Sequence, residues 1–322
     1  METVGDHYEA IGEHSDVWAG AYREAVGASQ VAIKVLRGGS PSNTQLIRKL
    51  QKFLDEHGSR WRRLNHNNVG EFIGISNKYG YMPAIVLRYY EYGNIIKYLE
   101  NHSGISDLDR LGFIFDIAAG LAYLHGEQII HADLRGANIL MDSRGNPRIC
   151  DYELALIIEQ SEFTSAKTVG NCRWAAPEVL NPPDDWDEEQ ELLPPFTFES
   201  DVYAFSMTVI EIATLKVPFS NRKNDSSVIF AVLNRQRPHI PPFVAEHNVL
   251  HTLIQECWDQ SPSLRPSSSR VSERLEVYRR PSQQQVCIFD RVDFQPADPK
   301  CRSKKAVCFS GKLFPFSHLT QP

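Results

Sequence analysis

The pattern of apolar and polar positions predicts strands in the first part of the chain. Up to about residue 90, apolar residues alternate with polar ones or form β-branched runs between polar turns. The expected strands are YEAIG (8–12), DVWAGAYRE (16–24), QVAIKVLR (30–37), FIGIS (72–76) and AIVLRYY (84–90). A helix from about Asn43 to Glu56 is expected among them, because apolar residues there recur at helical spacing. These residues are Leu46, Leu50, Phe53 and Leu54.

After Gly93 the apolar residues change to helical spacing throughout. One series predicts a helix from Leu111 to Leu124, and HTLIQECWDQ (251–260) begins another. A third series, from Val202 to Ile212, is apolar on so many faces that we expect this helix to lie at the centre of the protein.

Together these elements predict an α+β fold in two lobes, with two segments outside it. We expect a small β-rich lobe over about residues 1–90 and a larger, mainly helical lobe over about residues 91–280. The acidic, proline-rich segment 181–199 is expected to be an exposed insert. Periodicity ends near Pro281, where the charge turns positive, so residues 281–322 are expected to form a poorly ordered tail.

Composition and charge disfavour several classes of partner and compartment. The chain has 322 residues, a formal net charge of −6 and 42% hydrophobic residues, so neither nucleic acid nor an anionic membrane is expected as the main partner. Its most apolar stretch is interrupted by Asp116 and is too short to span a bilayer, and the acidic N-terminus is unlike a secretory signal. Six cysteines without a C-x-x-C pair favour an intracellular, cytoplasmic location. The oligomeric state is left open.

The segment HADLRGANILMDSRGNPRICDYE (131–153) predicts a hairpin with polar residues at its open end. We expect its two short apolar runs to pair antiparallel with Ile139 opposite Cys150, which places Asn138 opposite Asp151. Asp133 lies five residues before Asn138, in the loop that leads into the first strand. The three side chains could bind Mg²⁺ beside a catalytic base. Alternatively, Asp133 and Asn138 are turn formers that bond their own backbone.

Seven motifs in the order typical of eukaryotic protein kinases favour the catalytic interpretation. HADLRGANIL resembles their catalytic loop, DYE stands where they have D-F-G, VAIK matches their third strand and AAPE the end of their activation segment. LNHNNVGEFIG, SDVYAFSMTVIEI and CWDQSPSLRP are similar to further kinase motifs. The resemblance runs from about Tyr8 to Tyr278 and is greatest to the tyrosine-kinase-like branch of serine/threonine kinases. It implies the bilobal protein-kinase-like fold, and a buried ion pair between Glu178 and Arg265.

The resemblance also implies catalytic roles for residues that match the motifs. Lys34 would hold the α- and β-phosphates of ATP, and Glu56 would be its partner on the helix. Asp133 would accept or orient the proton of the substrate hydroxyl. Arg135 replaces the lysine often found two residues after that aspartate and would clamp a phosphate with different geometry.

Further residues would bind the nucleotide and its metal ion. Asn138 and Asp151 would ligate Mg²⁺. Gly12 would belong to the loop that covers the phosphates. Leu87 would stand as the gatekeeper at the back of the adenine pocket, and the hinge that meets the adenine edge would be formed by Arg88, Tyr89 and Tyr90.

Four departures from the family pattern bear on activity. The loop IGEHSDVWAG keeps Gly12, has His14 and Ser15 among the expected glycines and is two residues short, which predicts weaker or altered ATP binding but not its loss. Ala132 replaces an arginine that pairs with a phosphorylated residue, so switching by that phosphate is not expected. Glu153 replaces a glycine, and its carboxylate would repel the triphosphate, point away from it or share the metal. Asn171 replaces a threonine, which leaves hydroxyl specificity open, with Ser/Thr favoured over Tyr.

Two functions therefore compete. The first is an ATP- and Mg²⁺-dependent protein kinase of low activity, acting on protein substrates, and the second is a pseudokinase that serves as a nucleotide-binding or scaffold module. The presence of Lys34, Asp133, Asn138 and Asp151 favours the enzyme, because the departures fall on covering and regulatory positions. A small-molecule phosphotransferase is disfavoured, because AAPE and SDVYAFS belong to a peptide-docking lobe in the family that the chain resembles.

Overall fold

The computed structural model describes the backbone of residues 2–3, 10–11, 15–24, 27–36, 41–156, 171–182 and 196–289. The chain divides into two compact units, Met1–Arg279 and Arg280–Pro322. Most of the acidic insert, most of the tail, and Gly12 fall outside the described residues. Within those described, no helix has the length and apolar character needed to cross a membrane.

The first lobe is an antiparallel sheet with one helix, as predicted. Its strands are β1 (Glu2–Thr3), β2 (Ala10–Ile11), β3 (Ser15–Glu24), β4 (Gly27–Leu36), β5 (Phe72–Ser76) and β6 (Ala84–Arg88). They lie in the order β1-β3-β4-β6-β5, and β2 also pairs with β3. Helix α1 (Thr44–Trp61) runs five residues past the predicted end at Glu56 and packs against β5.

Alternation along β4 places its lysine towards the second lobe. Val31 and Ile33 are fully buried in a small apolar cluster with Ala84 and Val86 of β6. Successive side chains of a strand point to opposite faces of the sheet. Lys34 therefore lies on the face opposite Ile33, where it lines a cleft below the sheet.

The second lobe is mainly helical. Its helices are α2 (Ile95–Asn101), α3 (Asp107–Gly126), α4 (Pro177–Leu180), α5 (Phe198–Thr214), α6 (Asp225–Leu233), α7 (Pro242–Ala245), α8 (Asn248–Cys257) and α9 (Ser268–Phe289). The predicted central position of α5 is confirmed, because every residue from Ser200 to Ile212 is buried. Helix α9 runs past the predicted boundary at residue 280 and ends at Phe289.

The hairpin β7 (Ile139–Met141) and β8 (Pro147–Ile149) forms, but the predicted register is wrong by one residue. Ile139 lies opposite Ile149 rather than Cys150. The side chain of Asp142 accounts for the difference, since it accepts the backbone N–H of Arg144 and of Asn146, each at 2.9 Å. These bonds close a short loop in which Gly145 takes a φ of +77°, the left-handed conformation that glycine favours.

Candidate active site

A cleft of about 670 Å³ lies between the sheet and the helical lobe. Side chains from both lobes line it, including the four polar residues that the sequence singled out: Lys34, Asp133, Asn138 and Asp151. The cleft thus brings together residues from a strand, a loop and both ends of the β7–β8 hairpin. Its volume is in the range of pockets that bind small molecules and cofactors.

Lys34 and Asp151 form an ion pair across the cleft, between Nζ and Oδ2. Their side chains are only 15% and 19% exposed, so water screens the pair weakly. Asp151 has a φ of +64°, an unusual backbone conformation for a residue other than glycine. Such a conformation persists only where the surroundings enforce it, as they often do at functional sites.

The carboxylate of Asp133 is held by two amide groups. The Nδ2 of Asn138 donates to Asp133 Oδ2 at 2.8 Å and to the Asp133 carbonyl at 2.7 Å. The Nδ2 of Asn171 donates to the other oxygen, Oδ1, at 3.0 Å. The guanidinium of Arg135 lies 3.3 Å from Oδ2 and 5.8 Å from the centre of the Trp174 ring. Together these contacts orient both oxygens of a carboxylate that faces the cleft.

The donor set at the hairpin mouth suits a magnesium ion. Because the amide nitrogen of Asn138 donates twice to Asp133, the amide oxygen is the atom left to ligate a cation. The carboxylate of Asp151 lines the same cleft. Magnesium is usually held by one or two protein oxygens together with substrate phosphates and water. The described residues contain no cluster of three or more His, Cys, Asp or Glu able to hold a metal.

The predicted partner of Lys34 on helix α1 is wrong. The side chain of Glu56 is 59% exposed, and its Oε1 lies 3.8 Å from Nζ of Lys52 on the outer surface of the helix. Successive helical residues are about 100° apart, so a one-residue error in alignment turns a side chain away from the cleft. The inward face of α1 instead carries His57, Arg60 and Trp61, all of which contact Glu153.

The residues of the predicted hinge line the cleft. Leu87 stands between Ala32 of β4 and Phe72 of β5, and it lines the cleft together with Tyr89 and Tyr90. The hydroxyl of Tyr90 accepts the backbone N–H of Glu71 at 3.0 Å, and burial raises the pKa of that hydroxyl.

The sequence did not point to Asp201, which accepts hydrogen bonds from the backbone of the catalytic loop. This fully buried carboxylate of α5 accepts the backbone N–H of His131 at 2.7 Å and of Ala132 at 2.9 Å, and lies 2.9 Å from His125 Nε2. Ala132 has a φ of +68°, which these bonds help to maintain. An aspartate inside the otherwise apolar SDVYAFS helix was the available signal, because a buried charge needs partners.

A second buried acid of α5, Glu211, was also missed. It accepts the backbone N–H of Gly136 at 2.8 Å and the indole N–H of Trp174 at 2.9 Å. Burial raises the pKa of Glu211, and the two hydrogen bonds oppose that rise. Glu211 thereby links the catalytic loop to the segment that carries Asn171.

The predicted buried ion pair is confirmed. Arg265 donates to both carboxylate oxygens of Glu178, at 2.6 and 2.8 Å, and its side chain is fully buried. It also donates to the carbonyls of Glu199 and Asp259, each at 2.9 Å. Four hydrogen bonds from one guanidinium therefore connect α4, α5 and the loop after α8.

Comparisons with known proteins agree with this arrangement. A family model described as protein tyrosine and serine/threonine kinase matches residues 9–275. Among relatives from Arabidopsis thaliana, serine/threonine-protein kinase STY17 is 29% identical over 83% of this chain and 43% of its own length. Serine/threonine/tyrosine-protein kinase HT1 is 26% identical over 99% of this chain and 77% of its own. Serine/threonine-protein kinase 12 is 32% identical over 77% of this chain and 51% of its own length. The chain spans less than half the length of STY17.

Proposed function

Because the chain belongs to the protein tyrosine and serine/threonine kinase family, we propose that it transfers the γ-phosphate of ATP, with Mg²⁺, to serine or threonine hydroxyls of protein substrates. The observation that carries the proposal is that Lys34, Asp133, Asn138 and Asp151 line one cleft. These are the residue types that the kinase reaction uses for phosphate, proton and metal.

In this proposal each side chain has a distinct task. Asp133 orients the substrate hydroxyl and takes its proton, and the two amides that hold its oxygens keep the carboxylate aimed at that hydroxyl. Lys34 binds the α- and β-phosphates, exchanging part of its contact with Asp151 for them. Asn138 and Asp151 would ligate Mg²⁺, which neutralises charge on the phosphates when it is bound. Arg135 adds positive charge beside the acceptor site.

The preference for serine and threonine is supported by the relatives' names and by the R-W-x-A-P-E sequence around Trp174. STY17 is named a serine/threonine-protein kinase, whereas HT1 is named a serine/threonine/tyrosine-protein kinase. Asn171 contacts Asp133 where serine/threonine-specific relatives have threonine. Paired peptides that differ only in a Ser, Thr or Tyr acceptor would measure this preference.

One observation favours the alternative of a pseudokinase. Both acidic residues of α1, Asp55 and Glu56, are exposed, so the helix supplies no carboxylate to Lys34, which pairs with Asp151. In active protein kinases a lysine–glutamate pair to this helix is in place. A chain that retained the fold without transfer would bind nucleotide and act through its surface.

Transfer of labelled phosphate from ATP decides between the two. With Mg²⁺, the wild-type chain should label itself or a generic basic protein, and Asp133→Asn should reduce the signal at least about 100-fold, because the proton acceptor is lost. Asp107→Asn is the matched control, since Asp107 is an exposed aspartate at the start of α3. Equal labelling by wild type and Asp133→Asn would refute the kinase proposal, and absent labelling with intact ATP binding would favour the pseudokinase.

A further inference from the structure

The side chain of Glu153 is buried against helix α1 and is only 4% exposed. The indole Nε1 of Trp61 donates to its Oε2 at 2.6 Å, and Nη2 of Arg60 donates to its Oε1 at 2.6 Å. The Nδ1 of His57 lies 3.0 Å from Oε2. These three residues share one helix face because they are spaced by three and four. Glu153 is thus surrounded by donors rather than by phosphate-binding groups.

The same contacts tie α1 to the helical lobe. Arg60, besides binding Glu153, directs Nη1 to the carbonyl of Gln128 at 3.3 Å. The Trp61 ring meets the Tyr152 ring edge to face, with ring centres 6.0 Å apart. Helix α1 is therefore held on the turn that follows β8, and Glu153 is the charged centre of that contact.

The backbone at Glu153 is fixed as tightly as the side chain. Its φ is +59°, a conformation that is strained for any residue other than glycine, and its N–H donates to the His131 carbonyl at 3.1 Å. A residue other than glycine keeps such a backbone conformation only when the surrounding contacts enforce it. Glu153 lies two residues after Asp151, which has a similar φ of +64°.

The usual connection between α1 and the site is missing from the described part of the chain. Kinases join this helix to the phosphate-binding lysine through a glutamate. Here the acids of α1 are exposed and Lys34 pairs with Asp151. The carboxylate that connects α1 to the site comes instead from the opposite side, from Glu153.

We propose that Glu153 is a positioning residue that anchors α1 to the turn after β8, which also carries Asp151, and so holds Asp151 in the orientation that Mg²⁺ and ATP require. This contact takes the place of the one that a helix glutamate would make. Here the carboxylate lies outside the helix, on Glu153, and α1 supplies the groups that bind it. The inference rests on the proposed function, because only a nucleotide-binding site needs Asp151 so placed. Glu153 acts through Asp151 and does not touch the nucleotide.

The test compares Glu153→Ala with Glu56→Ala, which removes an exposed glutamate from α1 itself. Mg²⁺–ATP affinity and the KM for ATP are measured together with hydrogen exchange of the α1 and α5 amides. We expect Glu153→Ala to weaken Mg²⁺–ATP binding about 10-fold or more, as removal of residues that orient metal ligands commonly does. Exchange should quicken in α1 and not in α5, whereas Glu56→Ala should match wild type.

A second pair of variants keeps the test valid if Glu153→Ala folds poorly. Glu153→Gln retains an acceptor for Trp61 but loses the charge for Arg60, so a smaller loss of affinity is expected. Arg60→Ala and Glu153→Gln should also be non-additive, because both break the same contact.

Two outcomes would overturn the inference: unchanged α1 exchange in Glu153→Ala, or faster exchange with unaltered Mg²⁺–ATP affinity. A wild-type chain that binds no Mg²⁺–ATP would instead contradict the proposed function, and the variant comparison would not be needed to see it.

Discussion

At the scale of single residues, the two amides on Asp133 decide how well its carboxylate is aimed. Asn171→Ala removes the hydrogen bond to Oδ1 and leaves the one from Asn138 in place. A hydrogen bond to a charged group contributes about 1.5–3 kcal/mol, so kcat should fall by roughly 10- to 100-fold. The KM for ATP should hardly change, because Asn171 contacts the catalytic carboxylate rather than the phosphate-binding lysine. Steady-state kinetics with a peptide substrate would check both values.

Asn171→Thr is the informative companion variant. Its hydroxyl offers a donor to Asp133, so it should retain much more activity than Asn171→Ala. Unchanged kcat in Asn171→Ala would show that Asn171 does not orient Asp133.

The sequence identified the polar residues of the cleft through short motifs, and it failed where position depends on packing. Lys34 and Asp151 belong to two of these motifs, and their side chains form an ion pair in the structure. Glu56 was misplaced because one residue of uncertainty on a helix changes the direction of a side chain by about 100°. The burial of Glu153 could not be foreseen, because it depends on which face of α1 meets the turn after β8.

At the scale of secondary-structure elements, Arg265 joins α4 to α5 beneath the site. Arg265→Met keeps the bulk of the side chain but leaves Glu178 and two carbonyls without their donor. Breaking one partner of a buried pair costs about 3–5 kcal/mol, so the free energy of unfolding should fall by that amount in a denaturant titration.

Arg274→Met is the control for that experiment. Arg274 pairs with Glu256 at the surface, where both side chains are at least 31% exposed. Exposed pairs contribute about 0–1 kcal/mol, so little loss of stability is expected. Comparable losses in the two variants would contradict the special position of Arg265.

The elements themselves were predictable where periodicity was long and clear. The strands of the first lobe form where apolar residues alternate, and helix α5 forms where they recur at helical spacing. The register of the β7–β8 hairpin was not predictable in the same way, because it depends on the Asp142 side chain closing a loop around Gly145. A loop one residue shorter or longer moves every facing pair of the two strands.

At the scale of the whole molecule, the ion pair between Lys34 and Asp151 joins residues that are 117 positions apart in the chain. The two-lobe arrangement followed from the change in periodicity near residue 93, and the cleft follows from that arrangement. The acidic insert and the tail carry no repeating apolar pattern, so the sequence predicts little about them beyond exposure.

The central claim is that Lys34, Asp133, Asn138 and Asp151, which are distant in the chain, bind a single Mg²⁺–ATP in this cleft. The most direct measurement is the shift in melting temperature produced by ATP, with and without Mg²⁺, in wild type and in Asp151→Asn. At 100 times its Kd a ligand stabilises the folded state by about 2.7 kcal/mol, which such a shift resolves. We predict that Mg²⁺ enlarges the shift in wild type and not in Asp151→Asn. No shift in wild type, or the same Mg²⁺ dependence in both proteins, would contradict the claim.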